Sequence, residues 1–180
     1  MSRAAIRAAT AAWFGGRPQP TRPSMFRDSP VQFLSTLWTS GPREAQDDDF
    51  WPLPGQISGG VATVHLVHSA EKREAFGGGG TFGIPPAGQK RIDHTVYLET
   101  YFRSRQQRVE DAIDDFDTFL DSLTQRIRAD RTWGTGGRGF DEIWQAGEDV
   151  ELTPGEPELK DNRLYVEVAV VTTVTEWVLS

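Results

Sequence analysis

Ile92-Asp93-His94-Thr95-Val96-Tyr97-Leu98-Glu99-Thr100-Tyr101-Phe102 and the closing stretch Leu164-Tyr165-Val166-Glu167-Val168-Ala169-Val170-Val171-Thr172-Thr173-Val174-Thr175 decide the fold. In the first, Ile92, His94, Val96, Leu98, Thr100 and Phe102 alternate with Asp93, Thr95, Tyr97, Glu99 and Tyr101. In the second, Leu164, Val166, Val168, Val170, Thr172 and Val174 alternate with Tyr165, Glu167, Ala169, Val171, Thr173 and Thr175. A period of two in β-branched and aromatic residues marks a strand with one face on a core. Read as Leu164–Val178, the last strand would run roughly 50 Å if straight, about twice the usual length. Such a strand has to bend, or reach beyond its own sheet toward a neighbour.

Between the two strands, Arg105–Ala129 reads as a helix. Val109, Ala112, Ile113, Phe116, Phe119, Leu120, Leu123 and Ile127 form one apolar stripe. Ser104 with Gln107 fits a capping box. Glu110, Asp111, Asp114 and Asp115 lie toward its positive end, Arg126 and Arg128 toward its negative end. Its expected length is on the order of 35–40 Å.

Upstream, Ser2–Phe14 predicts a first helix, alanine-rich, with Ile6, Ala9 and Trp13 on one side and Gly15-Gly16 as the stop. Arg17–Arg27 carries Pro18, Pro20 and Pro23 and is expected to be extended. Val31–Trp38 fits a helix after Ser29-Pro30 and fits a strand almost as well. Gly41–Gly60, with Asp47-Asp48-Asp49, Pro52 and Pro54, reads as a long polar loop, and Val61–His68 as a strand. Ser69–Arg91, with Gly77–Gly80, Gly83 and Pro85-Pro86, reads as a hairpin-like excursion. Short strands are expected at Phe140–Ala146 and Asp149–Thr153, and a turn-rich link at Pro154–Asn162.

The expected class is therefore α/β of the α+β kind. A mixed or antiparallel β-sheet is flanked by a long amphipathic helix and an N-terminal helix, with long loop and hairpin extensions. Residues 1–180 are read as one domain: an arginine-rich N-terminal helix and arm over 1–43, and a core body over 61–180 with the extended hairpin at 69–91.

Charge is unevenly spread. The net formal charge is −7, yet residues 1–43 hold six arginines against one acid, Asp28, a balance of +5 that leaves −12 on the remainder. An acidic body argues against tight DNA binding, which needs clustered cations to displace phosphate counterions. No run approaches the roughly 18 apolar residues of a membrane span. Met1–Phe14 lacks the apolar centre of a signal peptide, so a soluble, non-exported chain is expected. With no cysteine, disulfides and thiolate chemistry drop out.

Candidate chemistry is sparse. His65, His68 and His94 are the only histidines. On a regular strand His65 and His68 point to opposite faces, and no acid is clearly placed to complete a metal site with His94. Gly77-Gly78-Gly79-Gly80-Thr81-Phe82-Gly83 lacks the Gly-Lys-Ser/Thr ending of a phosphate loop and reads as a hairpin tip between Phe76 and Phe82. The carboxylates of the long helix read as a solvated face or an interface. No Gly-x-Ser-x-Gly or His-Glu-x-x-His occurs, so no catalytic, metal or cofactor residues are assigned and an enzyme is not expected. Six tryptophans, Trp13, Trp38, Trp51, Trp133, Trp144 and Trp177, are shared between core and interface. Phe76, Phe82, Arg103, Arg105 and Trp177 are the expected contact residues.

The order of elements resembles the tail terminator proteins of long-tailed, siphovirus-like bacteriophages. The pattern spans the first helix (Ala4–Phe14), His94–Phe102, the long helix, Asp130-Arg131-Thr132-Trp133-Gly134, Trp144-Gln145-Ala146-Gly147 and the closing strand to Glu176. The resemblance implies a homohexameric ring that caps the tail tube and meets the major tail tube protein and the head-completion (stopper) protein. DNA passes through its channel without sequence-specific binding. It implies a place in the virion neck, with host cytoplasm during assembly, and no cofactor. Another neck protein, a head–tail connector or tail-completion factor, fits the same pattern. A small ligand-binding or enzymatic α+β domain is the reading from a different class.

Overall fold

The computed structural model describes residues 3–14, 24–25, 30–39, 44–74, 89–130, 133 and 142–179. Its elements run α1 (Arg3–Trp13), β1 (Ser24–Met25), β2 (Leu34–Trp38), α2 (Asp47–Phe50), β3 (Ser58–Glu74), β4 (Gln89–Ser104), α3 (Val109–Arg128), β5 (Glu142–Pro154), β6 (Glu158–Lys160) and β7 (Arg163–Leu179). The fold is α+β, and its sheet is mixed. Strand order is β1-β2-β3-β4-β7-β5, with β6 also paired to β7. The β2–β3 pair is parallel; the other pairs are antiparallel.

The alternating stretches form adjacent strands in the centre. Residue by residue, Leu98 faces Val170 and Phe102 faces Val166, so the even-numbered apolar sets of β4 and β7 share one face. That face is buried under α1 and α3. Ile6 from α1 and Phe14 just after it, Phe116, Phe119 and Leu123 from α3, and Val96, Leu98, Phe102, Val168 and Val174 from the sheet form one cluster. Phe102 lies at its middle, with ring centroids 5.5 Å from Phe116 and 5.6 Å from Phe119. The helices are tied to each other: the Arg126 guanidinium donates to the Trp13 carbonyl and stacks 3.6 Å above the Trp13 ring, whose Nε1 donates back to the Arg126 carbonyl.

β7 stays within its own sheet. β4 pairs with it from Leu164 to Leu179, and β5 and β6 occupy its other side, so its length is matched by its own partners. β5 is one strand across the two short ones expected, with a register shift between Ala146 and Val150. The link after it contains β6. β2 settles the choice at Val31–Trp38 in favour of a strand: its five residues are all buried, because the sheet is covered on both sides here.

The expected polar loop at 41–60 is partly ordered structure. Asp47, Asp48 and Asp49 occupy the first turn of α2, where carboxylates suit the helix dipole, and β3 already begins at Ser58. β3 and β4 extend past the ends read from sequence, to Glu74 and back to Gln89. Conversely α3 starts only at Val109, and at 20 residues spans roughly 30 Å. The Ser104–Gln107 capping box does not form. Ser104 ends β4, fully buried, its hydroxyl on Ser58 and accepting from the Gln106 amide; strand pairing outcompetes the cap. Val109 and Ile113, at the start of the helical stripe, are 41 % and 40 % exposed, at the rim of a core that Ala112 and Phe116 enter.

Two glycines allow the layers to close. A Cβ on Gly59 would lie 1.9 Å from the Phe50 carbonyl oxygen, and one on Gly60 would lie 2.7 Å from the Phe119 ring. Both substitutions to alanine overpack the site, at roughly 1–3 kcal/mol. Gly59→Ala is expected to be the worse, since a backbone atom yields less readily than a ring. Urea denaturation followed by tryptophan fluorescence orders the two, and a Gly59→Ala midpoint equal to wild type contradicts this packing.

Candidate functional site

α2 is pressed onto the face of the sheet opposite α1 and α3. Ser35 Oγ donates to the Phe50 carbonyl (2.7 Å), Thr36 Oγ1 to the Asp49 carbonyl (2.8 Å), and the Gln46 amide to the Asp49 carboxylate (2.8 Å). Phe50 and Trp51 are thereby buried with Trp38 and Val61 in a second apolar cluster, and Trp51 Nε1 donates to the Ile57 carbonyl. The short helix presents one carboxylate, Asp47, to three arginines. Arg103, Arg105 and Arg163 approach it at 3.0, 3.7 and 3.0 Å.

Each guanidinium also lies on an aromatic ring. Arg103 is 4.2 Å from the Phe50 centroid and 4.8 Å from that of Tyr165. Arg105 is 3.4 Å from the Trp51 centroid, and Arg163 is 5.5 Å from it. Such contacts contribute about 0.5–1 kcal/mol at exposed sites, and the ion pairs, with Asp47 48 % exposed, contribute similarly little to stability. The cluster's importance is chemical: arginine and aromatic groups, held in place and partly open to solvent, have the composition of interface centres.

Beyond this cluster the same face of the sheet is half-exposed. Tyr97, Glu99 and Tyr101 of β4 and Ala169, Val171, Thr173 and Thr175 of β7 lie on it. Among the described residues only the α2 segment packs against this face. Glu99 accepts from the Tyr101 hydroxyl at 2.8 Å and lies 3.2 Å from His65. Burial, together with that hydrogen bond, raises the Tyr101 phenol well above its ordinary range.

His65 and His68 do not point to opposite faces. The register passes from Leu66↔Val96 to His68↔Thr95, leaving Val67 as a bulge, so His65 and His68 oppose Tyr97 and Thr95 on the same face. One inserted residue reverses the parity. His94 lies on the other, buried face, between Ser69 Oγ at Nδ1 (2.9 Å) and Glu176 Oε2 at Nε2 (3.1 Å). A neutral imidazole satisfies both contacts, accepting the serine hydroxyl at Nδ1 and donating from Nε2. Burial lowers the His94 pKa, the Arg3 charge adds to this, and Asp93 opposes it.

Glu176 is the residue that the sequence reading overlooked. Its parity continues Thr172 and Val174, so the alternation itself places a carboxylate on the core face, as it places His94 on the core face of β4. Of the five expected contact residues, Arg103 and Arg105 come together in the arginine cluster. Phe76 and Phe82 lie outside the described residues, as does the glycine run between them. Trp177 is on β7 opposite Arg91 and Ile143, and its side chain lies outside what is described. Among the described residues no three acids or histidines converge as metal ligands, and no helix is long and apolar enough to cross a membrane. No protein-family model matches the chain, and no curated protein sequence matches it.

The His94 pair has a defined pH signature. Between the lowered folded pKa and the ordinary 6.5 the unfolded chain binds the extra proton, so stability rises with pH across that window. The contribution of neutral His94 is complete above about pH 6.5 and is lost as pH falls below it. Urea midpoints of wild type are expected to fall more steeply than those of His94→Gln as pH drops from about 6.5; parallel slopes contradict the assignment.

Proposed function

We propose that this chain is a structural protein of the neck of a long-tailed bacteriophage, a tail terminator whose copies form a ring. The ring caps the tail tube, meets the head-completion protein and leaves a channel for DNA. The observation that supports this most is the second face of the sheet. It is long, half-exposed, built of tyrosine, threonine and valine, and it ends in the Arg103–Arg105–Arg163 cluster. A face of that composition suits protein partners, and a ring follows when a heterologous contact closes on itself. The sequence pattern running from the first helix to Glu176 is the second support. Another neck protein, a connector or completion factor, draws on the same support.

The Ser69–His94–Glu176 chain of contacts favours a second reading, an enzymatic or ligand-binding domain. Its burial weighs against that: His94 is 4 % and Glu176 1 % exposed, so a substrate has little access to either. A buried, hydrogen-bonded pair of this kind has a structural role open to it, satisfying polar groups on a core face.

Negative-stain electron microscopy of the purified protein is expected to show closed rings with a central channel, free or at the ends of tail tubes. Mass spectrometry of purified necks that finds no copy of the chain sinks the proposal. The double substitution Phe76→Ser with Phe82→Ser is expected to leave the fold intact by circular dichroism and to lower particle yield. Unchanged yield removes those two residues from the interface.

A further inference from the structure

On α3, Glu110, Asp114, Asp117 and Asp121 recur at helical spacing on the side away from the sheet, and all four are exposed. At 1.5 Å per residue this stripe is roughly 17 Å long. The ion pairs among the described residues involve none of these four. Like charges at such spacing destabilise a helix. The dipole offsets this only in the first turn, at Glu110. The stripe is therefore a repulsive surface that none of the described residues neutralises.

The arginine cluster is the complementary case, with three guanidiniums sharing the single Asp47 carboxylate. The Phe50, Trp51 and Tyr165 rings already hold these side chains, so little further ordering is needed when a partner arrives. Position then decides who that partner is. Arg103 and Arg163 lie on the odd-numbered face of β4 and β7, whereas α3 covers the even-numbered face. The two patches are on opposite sides of the sheet and cannot meet within one molecule.

We infer that the acidic stripe of α3 docks on the arginine–aromatic cluster of a second copy of the chain, in a head-to-tail contact. The inference rests on the ring-forming reading and names the surface that builds the ring. Opposite patches on opposite sides give a heterologous contact, the kind that generates rings. Charge complementarity sets its register. Glu156, Glu158 and Glu167 line a groove of 310 Å³ together with Arg103 and Tyr165, and Glu158 is held by Lys160. These acids repel the stripe from the groove beside Arg103 and leave Arg105 and Arg163 as its contacts.

Charge reversal tests the contact. The first variant carries Asp114→Arg and Asp117→Arg; the second carries Arg105→Glu and Arg163→Glu. All four residues are on the surface, and circular dichroism verifies the fold of each variant. By sedimentation at about 50 mM salt, where screening is weak, each variant alone is expected to associate about tenfold or more weakly than wild type. An equal mixture of the two is expected to recover association, because the reversed centre of one stripe then meets the reversed cluster, and the native stripe meets the native cluster. Variants that form rings as well as wild type overturn the contact and leave the neck reading standing. A recovered mixture that yields pairs or open chains instead of rings upholds the contact and removes the ring. A wild-type chain that stays monomeric at high concentration and low salt overturns the contact, and its presence or absence in purified necks decides the neck reading separately.

Discussion

The pairing of β4 along its whole length, to β3 on one side and β7 on the other, is the constraint on which the rest depends. Every residue from Gln89 to Ser104 has a partner on both sides. Both rows of backbone donors and acceptors are thus satisfied within the sheet. Because side chains alternate strictly along a strand, a slip of one residue would turn the whole even-numbered set of β4 away from the core. Register and core are therefore a single decision. Phe102, Leu98 and Val96 reach α1 and α3 only in the register observed, with Val166, Val168 and Val170 beside them.

That decision distributes the polar groups as well. It places His94 and Glu176 on the buried face, where a hydrogen bond joins them, and it places Glu99, Tyr101 and Arg103 on the opposite face. There the short α2 segment seals only one end, with Phe50 and Trp51. The cover of the two faces is unequal. The face beneath α1 and α3 holds the core, and the other is left half-exposed. The exposed ion pairs at Asp47 add little stability. They hold guanidiniums in fixed positions, a property that matters at an interface more than in a core.

Much of this was legible in the sequence. The alternations over Ile92–Phe102 and Leu164–Val178, and the helical stripe from Ala112 to Ile127, are local periodicities, and each became the element it predicts. Where the reading failed, a non-local partner was responsible. Ser104 pairs with Leu164 and contacts Ser58, so it serves the strand and not a helix cap. Val67 bulges because β3 must follow β4 on both sides of it, and this brings His65 and His68 to one face. Val109 and Ile113 fit the stripe but lie at the rim of the core.

By itself, the sequence determined the two central strands, the first and long helices and the core-facing side of each, and that charge is divided between an arginine-rich beginning and an acidic remainder. Those properties are set by neighbours within a few residues. Only the tertiary structure decided the strand order, the parallel docking of β2, and the convergence of Arg103, Arg105 and Arg163 on Asp47. Asp47 and Arg163 are 116 residues apart, and no periodicity in either segment encodes their meeting. They meet because β7 pairs with β4 in one register while Gly59 lets the α2 backbone lie against the sheet. Both conditions exist only once the chain has folded.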